Sequence, residues 1–401
     1  MGKRLLQEIE SGTRRAIMKK NLINFFMYNN SATITDIARE LNLSVPTVTK
    51  FIDDMCTENY VCQTGKLETN GGRHPSLYGL NPDSCYFVGV EVNRFGVNMG
   101  LMNFKGDIIC LDMDVPLVIK NTPESLDELC EEVKKFIQKT KVDDDKILNI
   151  NVNLAGHVNP KTGFSYSILF FDNQPVAEKM GRKIGIHVTI ENDTRAMTYG
   201  EFTKGVVKDE KDIIFINVNW GISMGIIIDG KLYYGKSGFS GEFGHICAYD
   251  NDVLCHCGKR GCVETEVSGS ALFRKLRERL NKGENSQLLN QNKSIDDLTL
   301  NDFIAAIKKE DMFCIELVEE MGEKLGHQVA SLINIFNPEL VIIGGLLSVT
   351  GDYLIQPVGT AIRKYSLNLM NRDTVVLESK LKEKAGVIGA CMMARRRVFE
   401  D

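Results

Sequence analysis

Apolar positions recur at helical spacing through the first sixty residues, and this pattern predicts three helices. The predicted helices span residues 12–28, 33–41 and 45–59. Ser44 stands directly before the third helix, where its side chain suits an N-cap. Two short apolar runs, Tyr60–Thr64 and Ser76–Leu80, then predict a hairpin. We therefore expect a small N-terminal module that ends near residue 82.

After residue 86 the pattern changes to apolar strands that alternate with amphipathic helices, which is typical of α/β domains. The clearest predicted strands are Tyr86–Val92, Gly96–Asn103, Asp107–Met113, Ile147–Leu154, Ile213–Asn219 and Leu340–Ile343. The clearest predicted helices span residues 125–139, 311–336 and 385–398. The larger part of the chain is therefore expected to be α/β.

The turn between the second and third predicted helices is typical of a helix-turn-helix, which binds DNA. The outward residues of the third helix are short polar groups and one cation, which suit base edges and phosphates. An arginine in the hairpin loop could approach a minor groove. The candidate DNA-contacting residues are Ser44, Pro46, Thr47, Thr49, Lys50 and Arg73. Two simpler interpretations stay open: a three-helix packing module, and a flexible linker over residues 65–76.

Composition adds three constraints. The 401 residues are 43% hydrophobic and 25% charged, as expected for a globular protein of two or three domains. The net charge of -5 argues against a general nucleic-acid binder, although residues 1–82 hold ten basic and eight acidic residues. The sequence has no apolar run of membrane-spanning length, and its eleven cysteines fit a reducing compartment. We expect a cytoplasmic protein without a membrane partner.

A cysteine-rich motif predicts a metal site. Three cysteines lie within eight residues, in the run Cys-His-Cys-Gly-Lys-Arg-Gly-Cys that begins at residue 255. Thiolates and imidazole suit a closed, tetrahedral, structural zinc site. The candidate ligands are His245, Cys255, Cys257 and Cys262. His256 could replace His245, and a set of buried free thiols is the alternative to a metal.

Two glutamates flank this motif. Glu242 precedes His245, and Glu264 follows the last cysteine. Carboxylates accept paired hydrogen bonds from neighbouring hydroxyl groups, which suits sugar recognition. We expect a zinc-held loop to place both carboxylates and the imidazole around one pocket. Solvated surface glutamates are the simpler interpretation.

The run Gly-Glu-x-Gly-His followed by Cys-x-Cys-Gly-x-x-Gly-Cys-x-Glu resembles the signature of the ROK family of sugar kinases and sugar-responsive regulators. The resemblance covers nearly the whole chain. It implies a two-lobed α/β actin-like ATPase or sugar kinase fold with ribonuclease H-like lobes, here preceded by an all-α winged helix-turn-helix domain. The implied domains are residues 1–82, a first lobe of 86–198 with 385–401, and a second lobe of 199–384 that contains the zinc motif.

The same resemblance implies a set of sugar-binding residues. They are Gly156, Asn192, Asp193, Glu242, His245 and Glu264. In kinases of the family, the aspartate that matches Asp193 is also the base on the attacking hydroxyl. In a regulator Asp193 would be a vestigial base. An Asn-Asp pair that only caps a helix is the alternative for residues 192–193.

The phosphate-binding loops depart from the family pattern. The kinase loop Asp-x-Gly-Gly-Thr is replaced by residues 91–95, Glu-Val-Asn-Arg-Phe, and Gly-Thr-Gly-x-Gly by residues 219–223, Asn-Trp-Gly-Ile-Ser. Side chains at these positions should obstruct the approach of phosphates to the backbone. The nucleotide-side glycine pair at residues 344–345 is retained. ATP binding is therefore not expected.

The sequence thus favours a sugar-responsive transcriptional regulator, expected to be a repressor of carbohydrate-metabolism genes. Its partners would be operator DNA, a sugar or sugar phosphate effector, and further copies in a homodimer or tetramer. Its cofactor would be structural zinc. The alternative is an ATP-dependent, glucokinase-like hexose kinase with an appended DNA-binding domain, and a purely structural role ranks last. The identity of the sugar, and whether it releases or promotes DNA binding, stay open.

Overall fold

The computed structural model describes residues 2–68, 74–94, 96–288 and 298–400. The chain forms two compact units, Met1–Asp193 with Val387–Asp401 and Thr194–Gly386. The three domain boundaries expected from the sequence stay predictions, because the N-terminal module lies within the first unit. Across the described ranges, each helix is too short or too polar to cross a bilayer.

The described part of the N-terminal module contains four helices and a three-stranded antiparallel sheet. Its elements are α1 (Gly2–Glu10), α2 (Arg14–Asn29), β1 (Ser31–Thr33), α3 (Ile34–Glu40), α4 (Val45–Thr57), β2 (Val61–Lys66) and β3 (Ser76–Leu80). The strands pair in the order β1-β3-β2. Thr13, Thr33 and Ser44 cap α2, α3 and α4 by accepting a backbone N–H from the first turn. The predicted helices and hairpin therefore form close to their expected positions.

Three features of this module were not expected from the sequence: the helix α1, the strand β1 and the burial of Lys19. Lys19 is only 1% exposed, although lysine is rarely buried to this extent. Its ammonium group donates to Glu8 at 2.8 Å and also to Glu58. A buried cation needs such partners, because its removal from water is costly. Since Glu8 lies in α1 and Glu58 caps α4, Lys19 ties three helices together.

The first unit also contains a five-stranded sheet. Its elements are β4 (Tyr86–Val92), β5 (Gly96–Asn103), β6 (Ile108–Pro116), α5 (Pro123–Thr140), β7 (Ile147–Leu154), β8 (Val158–Asn159), β9 (Phe164–Ser165), α6 (Val176–Ile184) and β10 (Val188–Asn192). The strand order is β10-β7-β4-β5-β6, and β8 pairs separately with β9. Buried apolar side chains of the sheet pack against α5 and α6, which forms the core of this lobe.

The second unit has its own five-stranded sheet. Its elements, and the helix that returns to the first unit, are α7 (Asp193–Lys204), β11 (Ile213–Val218), β12 (Ile222–Ile228), β13 (Lys231–Leu232), α8 (Gly269–Asn281), α9 (Leu300–Lys308), α10 (Met312–Phe336), β14 (Leu340–Gly344), α11 (Asp352–Tyr365), α12 (Asn368–Asp373), β15 (Val375–Glu378) and α13 (Ala385–Phe399). The strand order is β13-β12-β11-β14-β15. Helices α8 to α11 supply most of the apolar side chains that cover this sheet.

The two sheets share one topology. In each, the first strand pairs antiparallel with the second and parallel with the fourth, and the order in chain numbering is 3-2-1-4-5. The third strand is antiparallel to the second, and the fifth is parallel to the fourth. This arrangement is the ribonuclease H-like lobe expected from the sequence, although the sequence itself shows no repeat.

The closing helix α13 packs directly on the first sheet. At Gly89 in β4, an added Cβ would lie 2.4 Å from the backbone nitrogen of Cys391 in α13. Only glycine permits this approach, because any side chain would push the helix away from the strand. The C-terminus of the chain is thereby fixed against the lobe that carries the N-terminal module.

A carboxyl group is buried at the end of β4. Glu91 is 6% exposed, and its Oε2 accepts a hydrogen bond from Asn98 Nδ2 at 2.8 Å. Burial raises the pKa of Glu91 to about 7, and the negative charges of Asp193 and Asp114 add to the rise. Glu91 therefore holds a proton in the folded protein well above the pH at which it would lose one in the unfolded chain.

Replacement of Glu91 by glutamine should change how stability depends on pH. An unfolded glutamate titrates near 4.3, whereas folded Glu91 titrates at about 7. Between these values the folded state binds more protons, so the contribution of Glu91 to stability falls as pH rises. The loss between pH 5 and pH 8 is about 2–3 kcal/mol, and Glu91→Gln should lack it.

Urea denaturation of the full-length protein between pH 5 and pH 8 measures this difference. The exposed Glu131→Gln variant is the control and should parallel the wild type. A Glu91→Gln curve that also runs parallel to the wild type would show that Glu91 is ionised in the folded protein.

Candidate functional site

The candidate DNA-binding face is the N-terminal half of α4. Pro46 and Lys50 are exposed, and Thr47 and Thr49 are half-buried. Val48, Ile52 and Met55 turn inward and are buried, which fixes the orientation of the helix. The structure therefore presents the predicted outward residues on one face. Val45, an apolar residue at the start of α4, is 45% exposed.

Three hydroxyl groups on this face also make local bonds. Thr49 Oγ1 donates to the Val45 carbonyl at 2.9 Å, and the Thr47 and Ser44 hydroxyl oxygens lie 2.7 Å apart. These bonds orient the hydroxyls before any ligand arrives. Arg73, predicted to reach a minor groove, lies outside the described residues.

The four predicted zinc ligands meet in the second unit. One ligand atom from each of His245, Cys255, Cys257 and Cys262 lies within 4.8 Å of every other. Cys255 Sγ is 3.6 Å from His245 Nδ1, and Cys257 Sγ is 3.7 Å from Cys262 Sγ. A tetrahedral zinc ion separates sulfur and nitrogen ligands by about 3.5–3.8 Å. The spacing of these donors therefore fits zinc.

His256, the alternative fourth ligand, takes a different partner. Its Nδ1 lies 2.6 Å from Oε1 of Glu264 and 3.9 Å from Cys255 Sγ. The same three residues form a second group that could hold a metal. The set with three thiolates is the more closed one and suits zinc better, because zinc favours sulfur and nitrogen ligands in structural sites.

Glycines let this loop lie directly on β12. At Gly241, where φ is +93°, an added Cβ would lie 2.0 Å from the Met224 carbonyl oxygen. At Gly261, where φ is +71°, it would lie 2.2 Å from the Tyr249 carbonyl oxygen. The first contact seats the loop on the strand, and the second packs the end of the cysteine run against the backbone of residues 248–249.

Glu264 is buried beside the metal motif rather than solvated. It is 7% exposed, and its Oε2 accepts the Ile222 backbone N–H at 3.3 Å. An added Cβ at Gly221 would lie 2.7 Å from the same oxygen. The one glycine that survives from the family's second phosphate loop therefore makes room for Glu264. Glu242 directly precedes the helical turn Phe243–His245, and its carbonyl accepts the His245 N–H at 3.1 Å.

The remaining predicted sugar-binding residues meet in the first unit. Asn192 ends β10, and Asp193 begins α7. Asn192 Nδ2 donates to Asp193 Oδ1 and to the Gly156 carbonyl, both at 3.0 Å. Gly156 has φ of +82°, and an added Cβ would lie 2.4 Å from Ser167 Oγ. Both polar side chains are half-buried. They thus offer an amide and a carboxylate side by side.

The first altered phosphate loop is a closed turn. Asn93 Oδ1 accepts the Gly96 N–H at 2.8 Å, and the Asn93 N–H donates to the Gly96 carbonyl at 3.0 Å. A phosphate would need such a backbone N–H for itself. The asparagine side chain therefore takes the role that a bound phosphate oxygen would have.

The second altered loop is also occupied. The Trp220 ring packs on Phe273 of α8, with ring centroids 5.6 Å apart. The carbonyls of Asn219 and Trp220 accept the N–H groups of Gly269 and Ser270 at 2.8 and 2.9 Å. The free N–H groups at the start of α8, which could attract an anion, are thereby satisfied.

The retained glycine pair has a packing explanation. At Gly345, where φ is +84°, an added Cβ would lie 2.5 Å from the Val218 carbonyl oxygen and from Asn217 Oδ1. Glycine is needed here for the close approach of β14 and β11, whether or not a nucleotide binds.

Sequence reasoning missed the residues that support Asn192. Glu191 has no exposed surface, and its Oε1 accepts the Asn192 N–H at 2.7 Å. Its Oε2 accepts from Arg397 Nη2 of α13 at 2.9 Å. The available signal was the run of three arginines at residues 395–397 in an otherwise apolar helix. Buried arginines require acidic partners.

Known proteins similar to this chain include regulators. The chain is 29% identical to a xylose repressor from Caldicellulosiruptor bescii over 381 residues, which cover 94% of this chain and 95% of the relative. It is 25% identical to the DNA-binding transcriptional dual regulator NagC from Escherichia coli (strain K12) over 366 residues, which cover 90% and 88%.

Solved structures show the same fold. A ROK family transcriptional regulator, a homologue of the E. coli MLC protein, superposes with a TM-score of 0.77 at 24% identity and covers 92% of each chain. A ROK family glucokinase from Streptomyces griseus, in complex with glucose and AMPPNP, superposes with a TM-score of 0.68 at 27% identity. That superposition covers 78% of this chain and 99% of the glucokinase.

The two parts of the chain match separate families. Residues 17–61 match the winged helix-turn-helix DNA-binding family. Residues 90–397 match the ROK family. Because this second match spans most of the chain, and the lobes have the fold of solved ROK proteins, the protein belongs to the ROK family.

Proposed function

We propose that the protein is a sugar-responsive DNA-binding repressor of carbohydrate-metabolism genes. The proposal is carried by one observation: a single chain joins an exposed helix-turn-helix face on α4 to the amide and carboxylate of Asn192 and Asp193. Similarity over most of its length to a xylose repressor and to NagC supports it. Such a regulator acts on operator DNA in the cytoplasm, and a sugar or sugar phosphate is its effector.

The effector would bind through the polar groups that the sequence assigns to sugar recognition. The proposed contacts are Gly156, Asn192, Asp193, Glu242, His245 and Glu264. Amides both donate and accept, and carboxylates accept two hydroxyl hydrogens at once, which suits neighbouring hydroxyls on a sugar. His245 could bind zinc and the sugar at the same time. Its Nδ1 faces Cys255, where the metal would lie, and its Nε2 could form a hydrogen bond with a sugar hydroxyl.

The cofactor of this site would be a structural zinc ion. His245, Cys255, Cys257 and Cys262 are the proposed ligands, and their spacing supports the assignment. A metal would fix the loop that begins at Gly241, and with it both flanking glutamates. It would supply order rather than chemistry, since four protein ligands leave no open position.

A chain of contacts within the first unit offers a route from sugar to DNA. Glu191 holds the Asn192 backbone with one oxygen and Arg397 of α13 with the other. Two residues beyond Arg397, the Phe399 carbonyl accepts a hydrogen bond from Asn24 Nδ2 of α2 at 2.8 Å. We propose that sugar binding shifts α13 through Glu191, and that α13 shifts the helix-turn-helix through Asn24. Sugar and DNA would then favour different positions of the same helix, α13.

We further propose that two copies associate through the second unit. Ile335, Phe336, Tyr365, Leu367 and Leu369 are large, apolar and 39–74% exposed. Asn334 bonds the backbone of Tyr365 and Leu367, so the ends of α10 and α11 adjoin. Exposed apolar patches of about 300–600 Å² often mark interfaces. A second copy is the proposed occupant, because helix-turn-helix proteins bind paired half-sites about 34 Å apart. A tetramer would add a second interface.

The alternative is an ATP-dependent hexose kinase that also carries a DNA-binding domain. The position of Asp193 beside Asn192 favours it, since a carboxylate there could act as general base. Phosphoryl transfer depends almost wholly on positioning and charge stabilisation of the phosphates. The occupied turns at Asn93 and Trp220 therefore argue for sugar binding without transfer.

Loss of the Lys50 charge should weaken DNA binding. Lys50 is the exposed cation on the proposed face of α4. If it contacts one phosphate, Lys50→Ala should lower the salt dependence of binding by about 0.9 in the slope of log K against log salt. Fluorescence anisotropy with duplexes selected by the wild-type protein from a random pool measures this slope.

The control for Lys50 is Lys135→Ala, which removes an exposed cation from α5. It should leave the slope unchanged. Equal slopes for Lys50→Ala and wild type would remove α4 from the DNA interface, and failure to select any duplex would contradict the regulator proposal itself.

Loss of a proposed zinc ligand should abolish both metal and sugar binding. Cys257→Ser should purify with less than one zinc per chain, because three ligands hold the ion far less tightly than four. Metal content by mass spectrometry and sugar affinity by calorimetry provide two readouts, and helical circular dichroism checks the fold. Cys247→Ser is the matched control, since Cys247 is an exposed thiol of the same loop outside the ligand set. Unchanged sugar affinity in zinc-free Cys257→Ser would sink the proposed role of the metal.

Removal of the Asn24 side chain should uncouple sugar from DNA. Asn24→Ala loses the bond to the Phe399 carbonyl but leaves α4 and Asn192 intact. We expect each ligand alone to bind as in wild type, while the effect of sugar on DNA affinity shrinks about two- to fivefold. Anisotropy titrations with and without sugar provide the comparison.

Asn29→Ala serves as the control, because Asn29 Nδ2 bonds the Phe25 carbonyl within α2 itself. Coupling as strong in Asn24→Ala as in Asn29→Ala would rule out this route.

A further inference from the structure

The loop that follows Gly156 carries aromatic side chains on its surface. The Phe164 and Tyr166 rings stack at 6.1 Å with an interplanar angle of 19°, and the Tyr166 and Phe170 rings lie 5.9 Å apart. Tyr166 is 45% exposed and Phe170 is 43% exposed. Three adjoining rings with open surface form a platform rather than a core, and such surfaces commonly contact a ligand.

The loop holds these rings in place. β8 and β9 pair as a short hairpin, and the Tyr166 N–H extends it by donating to the His157 carbonyl at 2.8 Å. Asn121 fixes the far side, because its Nδ2 donates to the Ser167 carbonyl and its Oδ1 accepts the Phe170 N–H. The rings are therefore positioned before any ligand arrives, which lowers the entropic cost of binding.

The platform adjoins the proposed sugar-binding residues. Gly156 lies between them: its carbonyl accepts from Asn192 Nδ2, and Ser167 Oγ fills the place of its missing side chain. The Tyr166 N–H bonds the carbonyl of His157, the residue after Gly156. The backbones of Tyr166 and His157 are therefore one strand spacing apart, about 5 Å. One pyranose ring covers about one aromatic ring, and the three rings have successive centroids 6.1 and 5.9 Å apart, so a ligand that covers them and also reaches the Asn192 amide extends beyond one sugar ring.

We infer that Tyr166, with Phe164 and Phe170, stacks against a second pyranose ring, so that the effector is an oligosaccharide rather than a monosaccharide. The inference depends on the proposed sugar-responsive function and specifies its ligand. The hydroxyls of the first ring face Asn192 and Asp193, and the second ring lies on the platform.

The chemistry of both partners fits this arrangement. A pyranose ring whose substituents are all equatorial presents C–H bonds on each face. An aromatic ring has a negative face that attracts these weakly positive hydrogens, and stacking also removes apolar surface from water. Tyr166 can in addition donate or accept a hydrogen bond at the rim of the sugar. β-1,4-linked xylose and glucose units have such faces.

Calorimetric titration of the full-length protein with xylose, xylobiose, glucose and cellobiose tests the inference. We expect one disaccharide to bind at least tenfold more tightly than its monosaccharide. Tyr166→Ala should lose about this factor for the disaccharide and leave the monosaccharide affinity unchanged. Tyr166→Phe should keep the preference, because the ring face is retained. Tyr233→Ala is the matched control, since Tyr233 is a 48% exposed tyrosine of the second unit.

Four outcomes would overturn the inference. A disaccharide that binds no more tightly than its monosaccharide would exclude a second subsite. An equal loss of affinity for both sugars in Tyr166→Ala would mean that the loop supports the whole sugar site and does not contact a second ring. A change of oligomeric state in Tyr166→Ala, seen by light scattering, with sugar preference retained would make the rings a subunit contact. If none of the four sugars binds, the sugar-responsive function fails and the platform with it.

Discussion

The buried carboxylate of Glu191 is the interaction on which the arrangement of the first unit depends. It has no exposed surface, and it accepts hydrogen bonds from the Asn192 N–H and from the guanidinium of Arg397. These two partners are about two hundred residues apart in the sequence. A carboxylate taken out of water is costly unless a cation and hydrogen bonds compensate. The ion pair therefore fixes the end of β10 against α13, and neither can move without disturbing the other. The polar residues proposed to bind sugar and the helix that reaches the N-terminal module share this one group.

Much of the fold could be predicted from the sequence because it depends on local patterns. Helical spacing and the cap at Ser44 specify the helix-turn-helix. The spacing of cysteines and glycines indicates the metal motif without any tertiary information. Apolar runs of strand length separated by amphipathic helices give the α/β class. Each of these signals is carried by residues that are close together in the chain.

The features that could not be predicted depend on contacts between distant segments. Lys19 looks like one of several surface cations, and only the approach of Glu8 and Glu58 accounts for its burial. Glu264 looks like a solvated residue, yet it is enclosed by the turn at Gly221. The matched topology of the two sheets leaves no repeat in the sequence, since many apolar residues satisfy the same buried strand position. The sequence leaves His256 open as an alternative to His245, and only the folded loop shows that His256 lies against Glu264.

The altered phosphate loops are the reason to expect that the protein binds a sugar without phosphorylating it. Asn93 closes the first turn with its own side chain, and Trp220 packs on Phe273 while the backbone beside it satisfies α8. The groups that would hold a sugar need no phosphate and are retained.

The most direct test is ATP turnover by the purified protein with a panel of hexoses, N-acetylhexosamines, pentoses and their disaccharides. The account predicts no phosphorylated product with any sugar, including those that bind. Phosphorylation of one sugar at ordinary enzyme rates would contradict it, because the occupied loops would then be compatible with phosphoryl transfer.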